Sequence, residues 1–379
     1  MTLSFVETEK QSLIIEKINN LVPMFAEREH TLSELGSFPF ENIKDLKNIG
    51  YTKLTVPKDF GGEGVSLYDF VLFQEKIATG DGATALSIGW HVGIVKEIAE
   101  NRSWHPHMLS WFFEEVKKGA LFNRAATEPK TGSPTRGGRP ETIAMKKGAK
   151  WVINGRKTFT TMAPVLDYFI VSASMVGEEE IGEFIIPRHE QGVCIEETWD
   201  SVAMRGTASH DLVLKDVEIP EKYFTDVKNT KAKGTGWLLH IPACYLGIAQ
   251  AARNYAIEFA KTYQPNSLQH PISTLPHIKR LVGELELELM QARTFLYQVA
   301  KKYDALEEKE TLQVELAAAK YIATNAAIHI VDKAMRIVGS KSLSEKNPLH
   351  RYYLNVRAGL HNPPMDDATL SLIANEALK

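Results

Sequence analysis

The chain has 379 residues, 44% of them hydrophobic and 24% charged, with a formal net charge of -3. That length supports several packed layers around a large core and exceeds the needs of one simple bundle. The near-neutral charge excludes a dominant polyanion-binding surface, and two cysteines, Cys194 and Cys244, exclude a disulfide framework.

The opening residues include acidic side chains and no apolar run after a basic start, so no secretory leader is expected. No stretch reaches the ~18 uninterrupted apolar residues of a membrane span. A reduced, cytoplasmic setting is the expectation. Residues 9–29 place Leu13, Ile14, Ile18, Leu21 and Phe25 on one face of an amphipathic helix, and Glu41–Ile49 repeats the pattern briefly. A loop punctuated by Pro57, Gly61, Gly62 and Gly64 then precedes a helix starting near Tyr68. Further helical stretches fill 84–119, interrupted at Pro106.

The texture changes near residue 121. Short β-rich runs follow one another to about Asp226, separated by turn residues such as Asn154-Gly155 and Pro187. Beyond residue 232 the helical period returns. In 275–303 the residues Ile278, Leu281, Val282, Leu285, Leu289, Ala292, Leu296 and Val299 form a stripe of roughly eight turns. Residues 311–337 carry a second stripe through Leu312, Leu316, Ala319, Ile322, Ala323, Ala326 and Ile330, with the alanine content of closely packed antiparallel helices. The predicted class is α+β, mostly α. It has an N-terminal helical domain over 1–122, a middle antiparallel β domain over 123–230 and a C-terminal four-helix bundle over 231–379. Stripes of this length also suit subunit contacts, so a homo-oligomer, tetramer or dimer, is expected.

Chemistry enters at Ala126-Thr127-Glu128-Pro129, followed by Gly132-Ser133. With VPKDFGGEG upstream and INGRKTFTT downstream, this order resembles the acyl-CoA dehydrogenase family, collinearly from about residue 10 to about residue 375. The resemblance implies an FAD-type flavin, with FMN as the alternative. A flavin ring is flat, largely apolar and edged with hydrogen-bonding atoms, so it needs donors along an edge and an apolar surface against a face. On this resemblance Ala126, Thr127 and Ser133 serve the flavin edge and phosphate, Phe159 packs on the ring, and Thr161 bonds to it. Met204–His210 resembles the family loop that returns towards the last bundle, with Arg205 placed for a substrate or cofactor phosphate, or else a surface ion pair.

A dehydrogenase of this family uses a Glu near the C-terminus to remove the proton alpha to a thioester carbonyl. The matching position here is about Leu360, followed by His361-Asn362, and the alternative location on the first long helix of the last domain has no carboxylate either. QPNSLQHPI at 264–272 replaces the family's Arg-x-x-Phe segment, Val338-Gly339-Ser340-Lys341 stands for its Gly-Gly-x-Gly turn, and its Asp-x-x-Arg pair is missing. The tail, through Arg351, Arg357, Leu360, His361, Asn362 and Pro363, instead resembles flavin-dependent monooxygenases of the same fold. There His361 would serve a flavin C4a-hydroperoxide in a water-excluding pocket.

Three functions are therefore open. One is dehydrogenation of an acyl-CoA, with hydride transfer to flavin N5 and an electron-transfer flavoprotein as acceptor. The second is oxygenation of an organic substrate by flavin from a separate flavin reductase. The third is a non-catalytic flavin- or ligand-binding member. Asp366 and Asp367 are read as a helix start with Asp366 as N-cap, or as a displaced base. His105 and His107 have no third metal ligand, and the GGEG at 61–64 lacks dinucleotide spacing.

Overall fold

The computed structural model describes residues 4–35, 37–132, 137–225 and 235–379. Among the described residues five α-helices come first: α1 (Glu9–Leu35), α2 (Phe40–Asn48), α3 (Leu67–Ala78), α4 (Gly82–Asn101) and α5 (Pro106–Lys118). Their starts follow from capping chemistry. Ser66 accepts the Asp69 amide at 3.0 Å while Asp69 accepts the Ser66 amide at 3.3 Å, a reciprocal cap on α3. Asp81 accepts the amides of Ala83 and Thr84 at 2.9 and 3.2 Å and opens α4. Pro106 is the first residue of α5, where its missing N–H costs nothing.

Among the described residues seven strands follow: β1 (Phe122–Ala125), β2 (Ile143–Lys147), β3 (Lys150–Thr160), β4 (Tyr168–Met175), β5 (Ile181–Pro187), β6 (Val193–Glu196) and β7 (His210–Pro220). The path β1-β4-β2-β3-β7-β6 makes one sheet, with β5 also paired to β4. Most pairings are antiparallel, as expected, but β1 and β2 both run parallel to β4. Asn154-Gly155 is not a turn. It lies inside β3 at a register shift, where the Asn154 side chain bonds Asp216 and a Cβ on Gly155 would collide with Thr142.

The chain ends in α6 (His240–Thr262), α7 (Pro276–Ala305), α8 (Gln313–Val338), α9 (Pro348–Arg357) and α10 (Asp366–Ala377). The α7 and α8 stripes are buried much as their periods predict. The first and last helical groups form one body. Gly247 of α6 lies so close to α3 that a Cβ there would meet Ala78 Cβ at 2.5 Å. Arg293 of α7 donates twice to buried Glu75 of α3, both at 2.9 Å, and Tyr297 donates to the same carboxylate at 2.5 Å.

Two buried titratable groups lie among these helices. Arg351 of α9 reaches Glu29 of α1 at 3.4 Å, near Asp81. Burial and the Asp81 charge push the Glu29 carboxyl up to about 8, against the pull of Arg351. His240 is fully buried among Phe70, Trp90 and Trp237, and neither ring nitrogen has a hydrogen-bond partner among the described residues. Burial pushes its imidazole down to about 3.

Candidate active site

The site forms where the loop after β1 meets the end of β3 and the loop before β7. The loop is fixed from below by a carboxylate. Glu128, only 2% exposed, accepts from Lys157 Nζ at 2.6 Å, Thr142 Oγ1 at 2.6 Å, and the Glu141 and Thr142 amides at 2.6 and 3.0 Å. Burial alone would raise this carboxyl, but Lys157, the Thr142 hydroxyl and the two amides hold it down at about 2. Lys157 is itself fully buried and donates also to the Ser172 carbonyl at 2.7 Å. Glu128 thus belongs to the frame of the site and leaves no lone pair for a ligand.

That frame lays Ala126 and Thr127 alongside β3, where the Thr158 amide donates to the Thr127 carbonyl at 2.8 Å. Ala126 and Thr127 are partly exposed, and the Thr127 hydroxyl makes no hydrogen bond among the described residues. Ser133 lies outside the described residues. Phe159 is 63% exposed and sits at φ +56°, a left-handed backbone that is uncommon for an aromatic residue. Its ring meets the edge of Trp199 at 5.8 Å between centroids.

Next to Phe159 the side chains turn inward. Thr161 Oγ1 lies 2.9 Å from Ser209 Oγ, which lies 2.8 Å from Thr207 Oγ1, which donates to the Met204 carbonyl at 2.9 Å. Asn123 of β1 pins this stretch by donating to the Thr161 carbonyl at 2.8 Å. The Met204 amide in turn donates to Asn355 Oδ1 of α9 at 2.8 Å, which ties the loop to the last helices. Arg205 is exposed and forms no ion pair among the described residues. So Ala126, Thr127, Phe159 and Thr161 come together. Thr207, Ser209 and Asn123 complete the group, although sequence reasoning gave them no role.

His361 shares no hydrogen bond with this row among the described residues. It is exposed, with no hydrogen bond or ion pair among the described residues, at the end of a 3₁₀ turn that continues α9. Its neighbour Asn362 accepts from Tyr245 of α6 at 2.5 Å. Asp366 is not an N-cap: Met365 holds that place, and the Asp366 carboxylate is taken by Lys320 at 3.2 Å and Asn325 at 3.1 Å. His105 and His107 approach each other to 2.6 Å, and no group of three metal-ligating side chains occurs among the described residues.

An isoalloxazine ring fits the residues present. An exposed aromatic face held in unusual backbone, beside a set of hydroxyl and amide groups, is what such a ring needs. The buried Thr160 hydroxyl, without a partner among the described residues, adds polar capacity on the same strand end.

Comparison with known proteins agrees. Family models described as the acyl-CoA dehydrogenase N-terminal, middle and C-terminal domains match residues 8–101, 123–217 and 239–360. YdbM of Bacillus subtilis (strain 168), provisionally named an acyl-CoA dehydrogenase, is 52% identical over 99% of both chains. Among solved structures, butyryl-CoA dehydrogenase from Megasphaera elsdenii superposes with a TM-score of 0.87 at 22% identity, covering 100% of both chains. FMN-bound TdsC from Paenibacillus sp. A11-2 gives 0.87 at 20% identity, covering 96% of both chains. The chain belongs to the acyl-CoA dehydrogenase family, a family of flavoproteins. Among the described residues no helix is long and apolar enough to cross a membrane.

Proposed function

We propose that this chain is a flavin-dependent oxidoreductase whose flavin ring lies on Phe159, with Ala126, Thr127 and Thr161 along its edge. The observation that carries this reading is the exposed, left-handed Phe159 next to the Thr161 hydroxyl row. Bound flavin would supply the two-electron chemistry. The chain's own residues would orient the ring and exclude water from it. Arg205, exposed on the loop before β7, is placed to meet an anionic part of substrate or cofactor.

Family membership and the 52% identical relative favour α,β-dehydrogenation of an acyl-CoA thioester, with an electron-transfer flavoprotein as electron acceptor. That reaction needs an acceptor for the proton alpha to the carbonyl. The family's base position falls at about Leu360, and the titratable side chain next to it in sequence is His361. A second reading, oxygenation of an organic substrate by flavin delivered reduced from a separate reductase, is favoured by the same stretch. It asks for a proton donor at His361 and for no carboxylate. FMN, as TdsC carries, would suit it as well as FAD.

Anaerobic addition of a panel of acyl-CoAs to the flavin-loaded protein separates the two. Loss of the oxidised flavin band with any thioester establishes dehydrogenation, and His361→Ala should then slow it at least a hundredfold. An unbleached flavin, together with oxygen consumption when reduced flavin is supplied, establishes the second reading. In that case His361→Ala should keep flavin affinity and raise peroxide release.

A further inference from the structure

A cleft of about 220 Å³ opens between α1, α3 and α6, and it shares no residue with the candidate active site. Its lining divides in two. Phe5, Ile15 and Leu72 supply apolar surface, while Asn19, Lys76 and Gln250 bring polar heads from three different helices. The Phe5 wall is held in place from below. Its ring stacks on Tyr297 of α7 at 4.0 Å between centroids, Arg293 lies over it at 4.6 Å, and its carbonyl accepts from the Tyr68 hydroxyl at 2.7 Å.

Charge in the cleft is unevenly satisfied. Glu75 accepts twice from Arg293 and once from Tyr297, so that carboxylate is engaged within the protein. Lys76 differs. The residue is half-buried, yet its ammonium makes no hydrogen bond and no ion pair among the described residues. Burial draws its pKa below the ordinary lysine value, and the Glu75 charge opposes that pull. The carboxamides of Asn19 and Gln250 likewise have no hydrogen-bond partner among the described residues. An ammonium and two carboxamides, all N–H donors, therefore meet one cleft whose carboxylate is already taken.

We propose that this cleft binds a small monocarboxylate with a short apolar chain, its carboxylate on Lys76 and Gln250 and its chain against Phe5, Ile15 and Leu72. A carboxylate is acceptor-only, which matches a set of donors. A single ammonium balances a monoanion and leaves a dianion such as phosphate in excess, and the apolar floor favours a ligand with a chain. The volume lies below the ~300 Å³ at which pockets for drug-sized ligands begin, so the occupant is a small acid and not a coenzyme.

Isothermal titration calorimetry of the full chain with hexanoate, 1-hexanol and inorganic phosphate tests this. Flavin plays no part in the readout, so the result stands apart from the proposed reaction. Hexanoate should bind saturably, and hexanol and phosphate each about tenfold or more weakly. Lys76→Met keeps the length of the side chain and removes its charge, and it should weaken hexanoate about tenfold or more. Gln250→Glu, which sets a carboxylate against that of the ligand, should do the same. Each variant is first matched to wild type in its ligand-free unfolding midpoint. Where Lys76→Met falls short of that match, Gln250→Glu, at a partly exposed position, decides. Equal hexanoate affinity in wild type and a matched variant places the acid elsewhere and overturns the proposal. Hexanol binding as tightly as hexanoate would leave the ammonium without a role, and phosphate binding without hexanoate would do so for the apolar floor; either result overturns it. No saturable hexanoate binding overturns it as well.

Discussion

Glu128, a motif residue with no role assigned from the sequence, proves to be an anchor. Its lone pairs are consumed by Lys157, Thr142 and two backbone amides, so its worth lies in holding Ala126 and Thr127 against β3. Removing one partner of such a pair strands the other charge in the interior. Lys157→Ala or Glu128→Ala should each cost about 3–5 kcal/mol in denaturant unfolding. Glu128→Gln, which keeps an acceptor for Thr142, should cost less. Because the folded carboxyl sits at about 2 and an unfolded one near 4.5, the Glu128 contribution is complete above the higher value and is lost as pH falls through the lower. Sequence reading located this loop but not its frame. Glu128 and Lys157 lie far apart along the chain on elements with no shared periodicity, and only the β3 register brings them together. Thr207 and Ser209 stood in a quoted motif, yet nothing in a linear string states that three hydroxyls will form a row.

Among the elements, α9 does the most joining. Its Asn355 receives the Met204 amide, its Arg351 reaches Glu29 of α1, and its end carries His361. The Glu29 carboxyl, raised to about 8, binds its proton more tightly folded than unfolded. Its stabilisation is therefore full below about 4.5 and is lost as pH rises through 8. Glu29→Gln should flatten the fall in stability between those values, as read from urea midpoints across pH; an unaltered slope would assign the fall to other groups. The long helices were legible because a period of 3.6 with apolar residues survives any tertiary context. The strand pairing was less so: alternation is the same for parallel and antiparallel neighbours, and the two parallel pairings of β4 left no mark in the sequence. Asn154-Gly155 misled for a related reason, since Gly serves a close approach to Thr142 as readily as a turn.

Across the whole molecule, titration of the interior limits stability from both sides. His91 and His240 are buried, with imidazoles pushed down to about 4 and about 3. Each favours folding above the unfolded value of 6.5 and loses that contribution as pH falls through its folded value. Two such groups outweigh Glu29 on the acid side, and Glu29 opposes them above 6.5, so these three groups together favour a stability maximum at about pH 6.5. A urea-midpoint series with its maximum elsewhere would show that other ionisations dominate. The helical, β, helical order was readable from texture alone, because each change of period is sharp. The joins between the groups, through Glu75 and Arg293 or Gly247 and Ala78, have no sequence signature and arise only from packing. His240 is the sharpest product of that packing. Walled in by aromatic rings, its imidazole is a natural reporter: its ring-proton NMR resonance should stay at the neutral position through mild acid. It should move only when the surrounding helices separate, which would time the opening of the interior without any added label.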